Sequence, residues 1–311
     1  MPDMNLNHDP EPSGSWLTCM QKGNFEDAWK FSDIALAEGV NRDYDSLPRH
    51  LQNIWNGTPL NGKRVLVRCY HGLGDTIQFI RYAPLLKRIA AEVIVWAQPV
   101  LIDLLKSVSG IDQLLPLHDG VPEVEYDVDI EVMELPFIFR SSIETIPSTI
   151  PYLHVEPLKT SATNKNLTVG LSWHPSNWAP ERSIPFPLLK DLMQIPGVDI
   201  LILQADAPAA GWEEGYGIHP GEFDLYNYAR TIKGLDLMIT IDSMQAHLAG
   251  ALDVPVWTLL RKNADWRWME NRNDSPWYPS MKLFRQTEEG DWTSVIDTVA
   301  SELKKVAYNR P

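Results

Sequence analysis

The chain has 311 residues, of which 44% are hydrophobic and 22% are charged, a composition typical of a globular protein with about two domains. Its net charge of -14 argues against a general nucleic-acid binder, because such binding needs clustered lysines and arginines. Two cysteines are too few for a disulfide framework or a metal cage, which favours the cytoplasm. The sequence shows neither a signal sequence nor a run of 18 apolar residues, so we expect no export and no transmembrane segment.

The first 59 residues are predicted to form a polar tail followed by a pair of helices. Residues 1–14 are polar and contain proline, which predicts a loose tail. Apolar residues then recur at helical spacing on both sides of Gly23 and Asn24, which predicts a helical hairpin. The hairpin resembles one tetratricopeptide unit. Because such units need about three copies to bury a core and no second copy follows, we expect it to dock on the neighbouring domain.

Two regions of alternating strand and helix patterns follow. The first spans residues 60–155, and the second spans residues 166–290 after a polar stretch at 156–166 that we interpret as a linker. This alternation predicts two α/β domains, each with a parallel sheet covered by helices. An amphipathic helix in residues 291–311 ends the chain. Ligands of such sheets bind beyond the carboxyl ends of the strands, so two domains facing each other predict a binding cleft.

The clearest local pattern is a buried strand that leads directly into a helix. Leu235–Ile241 is predicted to be the strand, Asp242 and Ser243 the turn and helix cap, and Met244–Leu252 the helix. The free N–H groups at such a helix start suit a diphosphate, although a plain capped helix gives the same pattern. His247 lies within the helix and, taken alone, is expected to be a packed core histidine.

This segment, DSMQAHLAGALDVPVW, resembles an element of the bacterial lipopolysaccharide heptosyltransferases and of their relatives fused to tetratricopeptide repeats. The resemblance continues in chain order over roughly residues 20–300, which makes coincidence improbable. The other matching segments are WNGTPLNGKRVLV, GLGDTIQFIRYAPLL, IPYL, VGLSWH, RSIPF and DWRWMENRNDSPWYPSMKLFRQ. The resemblance implies a GT-B fold, with two Rossmann-like α/β domains facing a cleft and the nucleotide sugar held mainly by the second domain.

An acid occupies the turn after the first strand of the 60–155 domain, in the stretch CYHGLGDTIQF. Gly72 and Gly74 make this turn look like a phosphate loop, yet Asp75 would repel a phosphate there. In heptosyltransferases the aspartate of this turn is regarded as the catalytic base, and the resemblance assigns that role to Asp75. The structural alternative is that Asp75 only caps its helix. Relatives carry Glu-Gln where this chain has Tyr70 and His71, so His71 is the second candidate for the base.

The resemblance also predicts the donor-binding residues, which lie in the 166–290 domain. A nucleoside diphosphate leaves with negative charge, which N–H groups at a helix start and a cation would stabilise. The family places that cation in a loop where this chain has Arg182, and the alternative is an arginine that pairs with Glu181 or Asp191. The predicted donor-binding residues are Trp173, His174, Arg182, Asp242, Ser243, Met244, Gln245 and His247.

Three other features are interpreted as structural. Asp127 and Asp129 form the D-x-D pattern of metal-dependent glycosyltransferases, but their alternation with apolar residues favours a half-exposed strand, and we predict no metal site. The aromatic residues of the block 265–285 are expected to pack. Asp253 replaces a turn glycine of the relatives, a tolerable change because aspartate can enter the left-handed region.

These patterns predict a metal-independent glycosyltransferase that moves a sugar from a nucleoside-diphosphate sugar to an acceptor hydroxyl on a glycan or a protein. No cofactor is expected beside the nucleotide-sugar substrate. The alternative is a non-catalytic module that binds a nucleotide sugar or a protein, a reading motivated by Tyr70 and His71. Nicotinamide chemistry ranks third, because Ile77 stands where the dinucleotide-binding fingerprint has its third glycine.

Overall fold

The computed structural model describes residues 14–42, 46–158, 166–175 and 179–309. The predicted tail and most of the predicted linker lie outside the described residues. The chain divides into two compact units. The first contains the described residues up to His154 together with Asp265–Asn271, and the second contains Val155–Ala264 and the described residues from Arg272 onward. No helix in the described part of the chain is long and apolar enough to cross a membrane.

The predicted helical hairpin is present and belongs to the first unit. Its helices are α1, Trp16–Gln21, and α2, Phe25–Glu38. The side chain of Asn24 caps α2, which accounts for the break between the two helices. Trp29 of α2 donates its indole N–H to the carbonyl of Ser141 at 2.8 Å, so the hairpin packs on the rest of the first unit.

The first unit contains a four-stranded parallel sheet in the order β3-β2-β1-β4. Its strands are largely buried except for Gln113–Pro116, as the unbroken hydrophobic runs of the other three predict for a parallel sheet. Its strands are β1 Arg64–Arg68, β2 Glu92–Ala97, β3 Gln113–Pro116 and β4 Val128–Glu131. Its other α-helices are α3 Leu73–Phe79, α4 Ala83–Lys87, α5 Ile102–Leu105 and α6 Leu135–Ile138. Short 3-10 helices lie at Arg49–Leu51, Ile80–Tyr82, Pro99–Leu101, Val132–Glu134 and Trp266–Trp268.

The second unit contains a five-stranded parallel sheet in the order β6-β5-β7-β8-β9. Its strands are β5 Leu167–Ser172, β6 Val198–Ile202, β7 Leu237–Ile241, β8 Val256–Leu260 and β9 Met281–Arg285. Its α-helices are α7 Leu225–Lys233, α8 Met244–Ala251 and α9 Trp292–Tyr308. Two 3-10 helices lie at Pro180–Arg182 and Phe186–Gln194. The predicted strand-to-helix passage from β7 into α8 and the final amphipathic helix are both observed.

The strand orders locate the place in each sheet where a ligand is expected. Ligands of open α/β sheets bind at the carboxyl ends of two neighbouring strands whose connections run in opposite directions. In the first sheet those strands are β1 and β4, and we call their carboxyl ends the first switch point. In the second sheet they are β5 and β7, whose carboxyl ends form the second switch point.

Candidate functional site

Asp75 caps the helix that begins at the first switch point. Gly72 is the N-cap of α3, and its N–H donates to Oδ2 of Asp75 at 2.9 Å. A β-carbon on Gly72 would lie 3.0 Å from that oxygen, so a larger residue would press on the carboxylate of Asp75. The φ of Gly72, -67°, would itself suit any residue. Gly74 lies in the first turn of α3. The structural interpretation of Asp75 as a helix cap is therefore observed.

The second oxygen of Asp75 is bound by an arginine that sequence reasoning missed. Arg267 donates to Oδ1 of Asp75, to Gln78 Oε1 at 2.8 Å and to Asp265 Oδ1 at 2.9 Å. Its side chain is only 9% exposed and its guanidinium lies 4.9 Å from the ring of Trp266. The sequence shows only an arginine between two tryptophans. Both carboxylate oxygens of Asp75 consequently accept hydrogen bonds from the protein.

His71 lies beside a buried carboxylate at the same switch point. Its Nδ1 is 3.0 Å from Oε1 of Glu131, the last residue of β4, although the ring is not aligned for a linear hydrogen bond. Both ring nitrogens are buried and have no hydrogen-bond partner among the described residues. Glu131 is 1% exposed and accepts N–H groups from Tyr70 at 3.1 Å and Met133 at 2.6 Å. These two backbone bonds fix the carboxylate next to the imidazole.

A second buried glutamate completes this group. Glu134 Oε2 accepts the N–H groups of Glu131 at 2.8 Å and Trp55 at 2.9 Å. Burial raises the pKa of Glu134 to about 7, and the negative charge of Glu131 adds to the rise. A small polar pocket opens here, and its polar side chains are those of His50, Gln52, Asn53, His71, Glu131 and Glu134. Sequence reasoning missed Glu131 and Glu134, whose only signal was their position at the end of a predicted strand.

At the second switch point, Arg182 lies at the start of α8. Its NH1 donates to the carbonyl of Asp242 at 3.2 Å and lies 3.1 Å from Oδ2 of the same residue. Sequence reasoning named Glu181 or Asp191 as a structural partner, whereas the observed partner is Asp242. Ser243 is the N-cap of α8, but its hydroxyl bonds back to the preceding strand and does not cap the first turn. The N–H groups of that turn and the guanidinium together can bind an anion.

Two residues of the predicted donor set follow β5. The side chain of Trp173 is fully buried and donates its indole N–H to the carbonyl of Ala210 at 2.9 Å. This burial differs from the prediction that Trp173 binds the donor, because its ring packs in the core of the second unit. His174 is half-buried, and its backbone is held by Gln204, which accepts its N–H at 2.8 Å and donates to its carbonyl at 3.1 Å.

The remaining residues of the set belong to α8. His247 is buried, and its Nδ1 lies 3.0 Å from the hydroxyl of Tyr278, which agrees with a packed core histidine. Met244 and Gln245 lie half-buried in the first turn. The structure therefore brings Arg182 to Asp242, the residue before the N-cap of α8, while the ring of His247 contacts the hydroxyl of Tyr278.

The D-x-D acids are bound by arginines of the neighbouring strand. Asp127 accepts from Arg64, and Asp129 lies 2.7 Å from NH2 of Arg68. Val128 is buried between them, as the predicted half-exposed strand requires. In the described ranges, no group of three or more His, Cys, Asp or Glu residues has an arrangement that could hold a metal ion.

Two further structural interpretations are confirmed. The aromatic side chains of the block 265–285 are buried, namely Trp266, Trp268, Trp277 and Tyr278. Asp253 has a φ of 57°, so it adopts the left-handed conformation expected of a residue that replaces a turn glycine.

The fold is similar to that of known glycosyltransferases. A glycosyl transferase family 9 structure from Veillonella parvula DSM 2008 matches with a TM-score of 0.60 and 14% identity, covering 81% of this chain and 99% of that one. The E. coli ADP-heptose lipopolysaccharide heptosyltransferase II matches with a TM-score of 0.54 and 16% identity, over 79% and 98% of the two chains. E. coli heptosyltransferase WaaC with ADP-2-deoxy-2-fluoro heptose matches with a TM-score of 0.52 and 13% identity, covering 77% of this chain and 99% of that one.

At the sequence level, Protein FlbA from Caulobacter vibrioides is 25% identical over 297 residues, covering 81% of this chain and 48% of FlbA. The chain thus spans about half the length of this curated relative. No protein-family model matches the chain. The two parallel sheets with their helices, and the coverage of most of the chain by these structures, show that the chain has the α/β fold of GT-B glycosyltransferases.

Proposed function

We propose that the chain is a metal-independent glycosyltransferase, which moves a sugar from a nucleoside-diphosphate sugar to a hydroxyl of a glycan or protein acceptor. The observation that carries this proposal is the position of Arg182 at the start of α8. A guanidinium and a helix start at a sheet's switch point are suited to a diphosphate. The nucleotide sugar is the substrate, and the proposal includes no further cofactor, no nucleic acid and no membrane span.

The proposed chemistry of the donor follows from charge. When the bond between sugar and diphosphate breaks, negative charge grows on the phosphate, and fixed donors lower the energy of that state. Arg182 and the N–H groups at Ser243–Gln245 would supply these donors. The carboxylate of Asp242 already contacts one nitrogen of the Arg182 guanidinium and would hold the side chain near the start of α8. The other N–H groups of the guanidinium would bind the diphosphate.

The acceptor hydroxyl must lose a proton as it attacks the anomeric carbon. We place the group that takes this proton at the first switch point, where Asp75 and His71 are the two candidates. Asp75 lies in the first turn of α3, and His71 immediately precedes its N-cap. Both candidates therefore follow the carboxyl end of β1, the edge of the sheet where ligands of this fold bind.

ADP is the first nucleotide to test, because two similar E. coli proteins are described with ADP-heptose or an ADP-heptose analogue. The experiment offers the protein a panel of nucleoside-diphosphate sugars, including ADP-heptose, and measures release of the nucleoside diphosphate with and without EDTA. We expect release from at least one donor at the same rate in EDTA. A protein that neither binds nor cleaves any member of the panel would contradict the proposal.

A non-catalytic module that binds a nucleotide sugar or a protein is the second candidate. It is favoured by the hydrogen bonds to both oxygens of Asp75, which give that residue a structural role. The same panel separates the two functions, because a binding module would bind the nucleotide without releasing it from any donor.

We also propose a cellular location for the protein and a classification for its helical hairpin. The cytoplasm is the proposed location, since Cys19 and Cys69 are both free thiols. The α1–α2 hairpin is proposed to be a single tetratricopeptide-like unit. Its packing on the first unit through Trp29 supports the expectation that one such unit needs a neighbour to cover it.

A further inference from the structure

We infer that His71, oriented by Glu131, takes the proton from the acceptor hydroxyl, and that the polar pocket beside it receives that hydroxyl. This inference rests on the proposed glycosyl transfer and chooses between its two candidate bases. It assigns Asp75 to the structure of the α3 turn. Glu131 is a positioning residue, since it acts through His71.

The position of the pair in the sheet supports the assignment. His71 lies just beyond β1, and Glu131 is the last residue of β4, so the pair bridges the two strands of the first switch point. Arg68 and Glu131 are partners in the register of these strands, which places His71 beyond the paired residues at the carboxyl edge. Ligands of open α/β sheets bind at this edge.

Asp75 is poorly arranged to accept a proton. One of its oxygens accepts the N–H of Gly72, and the other accepts from the buried guanidinium of Arg267. A proton on either oxygen would compete with an existing hydrogen bond, one of them charge-assisted. Arg267 is itself held by Gln78 and Asp265, so it has little freedom to release the carboxylate.

His71 has the opposite arrangement. Its Nε2 is buried and has no hydrogen-bond partner among the residues that the structure describes, whereas its Nδ1 lies beside the carboxylate of Glu131. Buried polar atoms are normally satisfied, so an unpartnered Nε2 points to a partner supplied by a ligand. Glu131 Oε1 lies 3.0 Å from Nδ1, which favours a proton on Nδ1 and leaves the Nε2 lone pair to act as the base.

The pocket matches a hydroxyl in size and polarity. It has room for about one water-sized group, and six of its eight lining residues are polar or charged. A group of this size that donates a proton to an imidazole is a hydroxyl of the acceptor or, in its absence, a water molecule. The occupant is therefore the nucleophile of the transfer.

The proposed step transfers one proton and exchanges one bond at the anomeric carbon. The Nε2 lone pair takes the hydroxyl proton while an oxygen lone pair of the acceptor forms a bond to the anomeric carbon. The bond from that carbon to the phosphate oxygen breaks, and its electron pair leaves with the nucleoside diphosphate. The imidazolium, stabilised by the carboxylate of Glu131, then returns its proton to solvent.

The first test measures ADP release from ADP-heptose with water as the acceptor. We expect His71→Asn to lower turnover by about 10²–10⁴-fold, the usual scale for loss of a general base, with ADP affinity unchanged. His154→Asn is the matched control, because His154 is an exposed histidine of the same unit. Free imidazole should restore turnover to His71→Gly, which loss of a purely structural histidine would not allow.

The second test needs no turnover. In a protein with ¹⁵N-labelled histidines, the His71 signals are assigned by their loss in His71→Asn. We expect the proton on Nδ1 and a bare Nε2, and Glu131→Gln should change this tautomer while leaving ADP affinity unchanged. A proton on Nε2 in the wild-type protein would overturn the inference, whether or not ADP-heptose is the right donor.

The outcomes separate this inference from the proposed function. Normal ADP release by His71→Asn, or failure of imidazole to restore His71→Gly, overturns the role of His71 and leaves the glycosyltransferase proposal standing. Absence of both ADP binding and release from every donor in the wild-type protein overturns the proposed function and, with it, this step.

Discussion

Both switch points contain an arginine–aspartate pair, and the two pairs are exposed in opposite ways. At the first, the side chain of Arg267 is 9% exposed and that of Asp75 is 24% exposed. At the second, the side chain of Arg182 is 29% exposed and that of Asp242 is 11% exposed. The carboxylate is therefore the more exposed partner at the first sheet, and the guanidinium is the more exposed partner at the second.

This difference agrees with the two halves of the proposed reaction. The second switch point combines a partly exposed guanidinium with a helix start, which suits the phosphates of a donor. The first combines carboxylates with a histidine and keeps its arginine buried, which suits proton transfer and disfavours phosphate. In an acidic chain, positive charge must be concentrated locally where an anion binds.

The largest predicted effect concerns the buried arginine. Arg267→Ala should reduce the free energy of unfolding by about 3–5 kcal/mol, because it leaves Asp75 and Asp265 without their shared partner. Urea unfolding measures the loss. The matched control is Arg272→Ala, which removes a more exposed pair with Asp274 and should cost about 1 kcal/mol or less. Equal losses would show that Arg267 is not a buried structural link.

The next effect is the pH dependence of stability caused by Glu134. Its pKa is about 7 when folded and near 4.5 when unfolded, so the unfolded state loses its proton first as pH rises between these values. Stability should fall by about 3 kcal/mol over this window and stay reduced above pH 7. Glu134→Gln should remove this loss, and the exposed Glu123→Gln should keep it. The measurement is urea unfolding at a series of pH values, and an unchanged slope in Glu134→Gln would contradict the account.

A smaller effect is expected on ADP binding when Arg182, the cation at the second switch point, is replaced. Arg182→Ala should weaken ADP binding by about 1.5–3 kcal/mol, the range for a hydrogen bond to a charged group. Arg230→Ala serves as the control, because Arg230 lies in α7 before β7 begins, at the opposite edge of the sheet. Titration calorimetry in EDTA compares the two variants. If both bind ADP as tightly as the wild-type protein, the diphosphate is not held by Arg182.

The smallest effect is expected for the D-x-D acids. Asp127→Asn and Asp129→Asn should leave ADP affinity unchanged, with and without Mg²⁺, since both acids pair with arginines of β1. Calorimetry on the two variants checks this. If ADP affinity depended on Mg²⁺ and either substitution abolished that dependence, Asp127 and Asp129 would be identified as metal ligands.

The sequence was sufficient to predict the α/β class, the hairpin and the passage from β7 into α8. These elements have long apolar runs or clear helix caps, and both signals are local. The strands β3 and β9 were missed. Both are the outermost strands of their described sheets, and β3 has only four residues with exposed ends. An edge strand this short carries little apolar pattern.

The site was less predictable, because its contacts join distant parts of the chain. Arg267 reaches Asp75 across 192 positions, and no local pattern predicts that Asp265–Asn271 would pack with the first unit. The resemblance led to Asp75, yet the charge of Arg267 and the burial of Glu131 and Glu134 appear only in the folded chain. Local pattern thus gives the place of the site, whereas its protonation chemistry depends on tertiary contacts.

The most direct test is a crystal structure of the protein with ADP, grown in EDTA. We predict the diphosphate within hydrogen-bonding distance of the Arg182 guanidinium and of the backbone N–H groups of Ser243–Gln245, with no metal ion beside it. A diphosphate bound at the glycine turn of the first switch point, or one bound only through a metal ion on Asp127 and Asp129, would contradict this prediction.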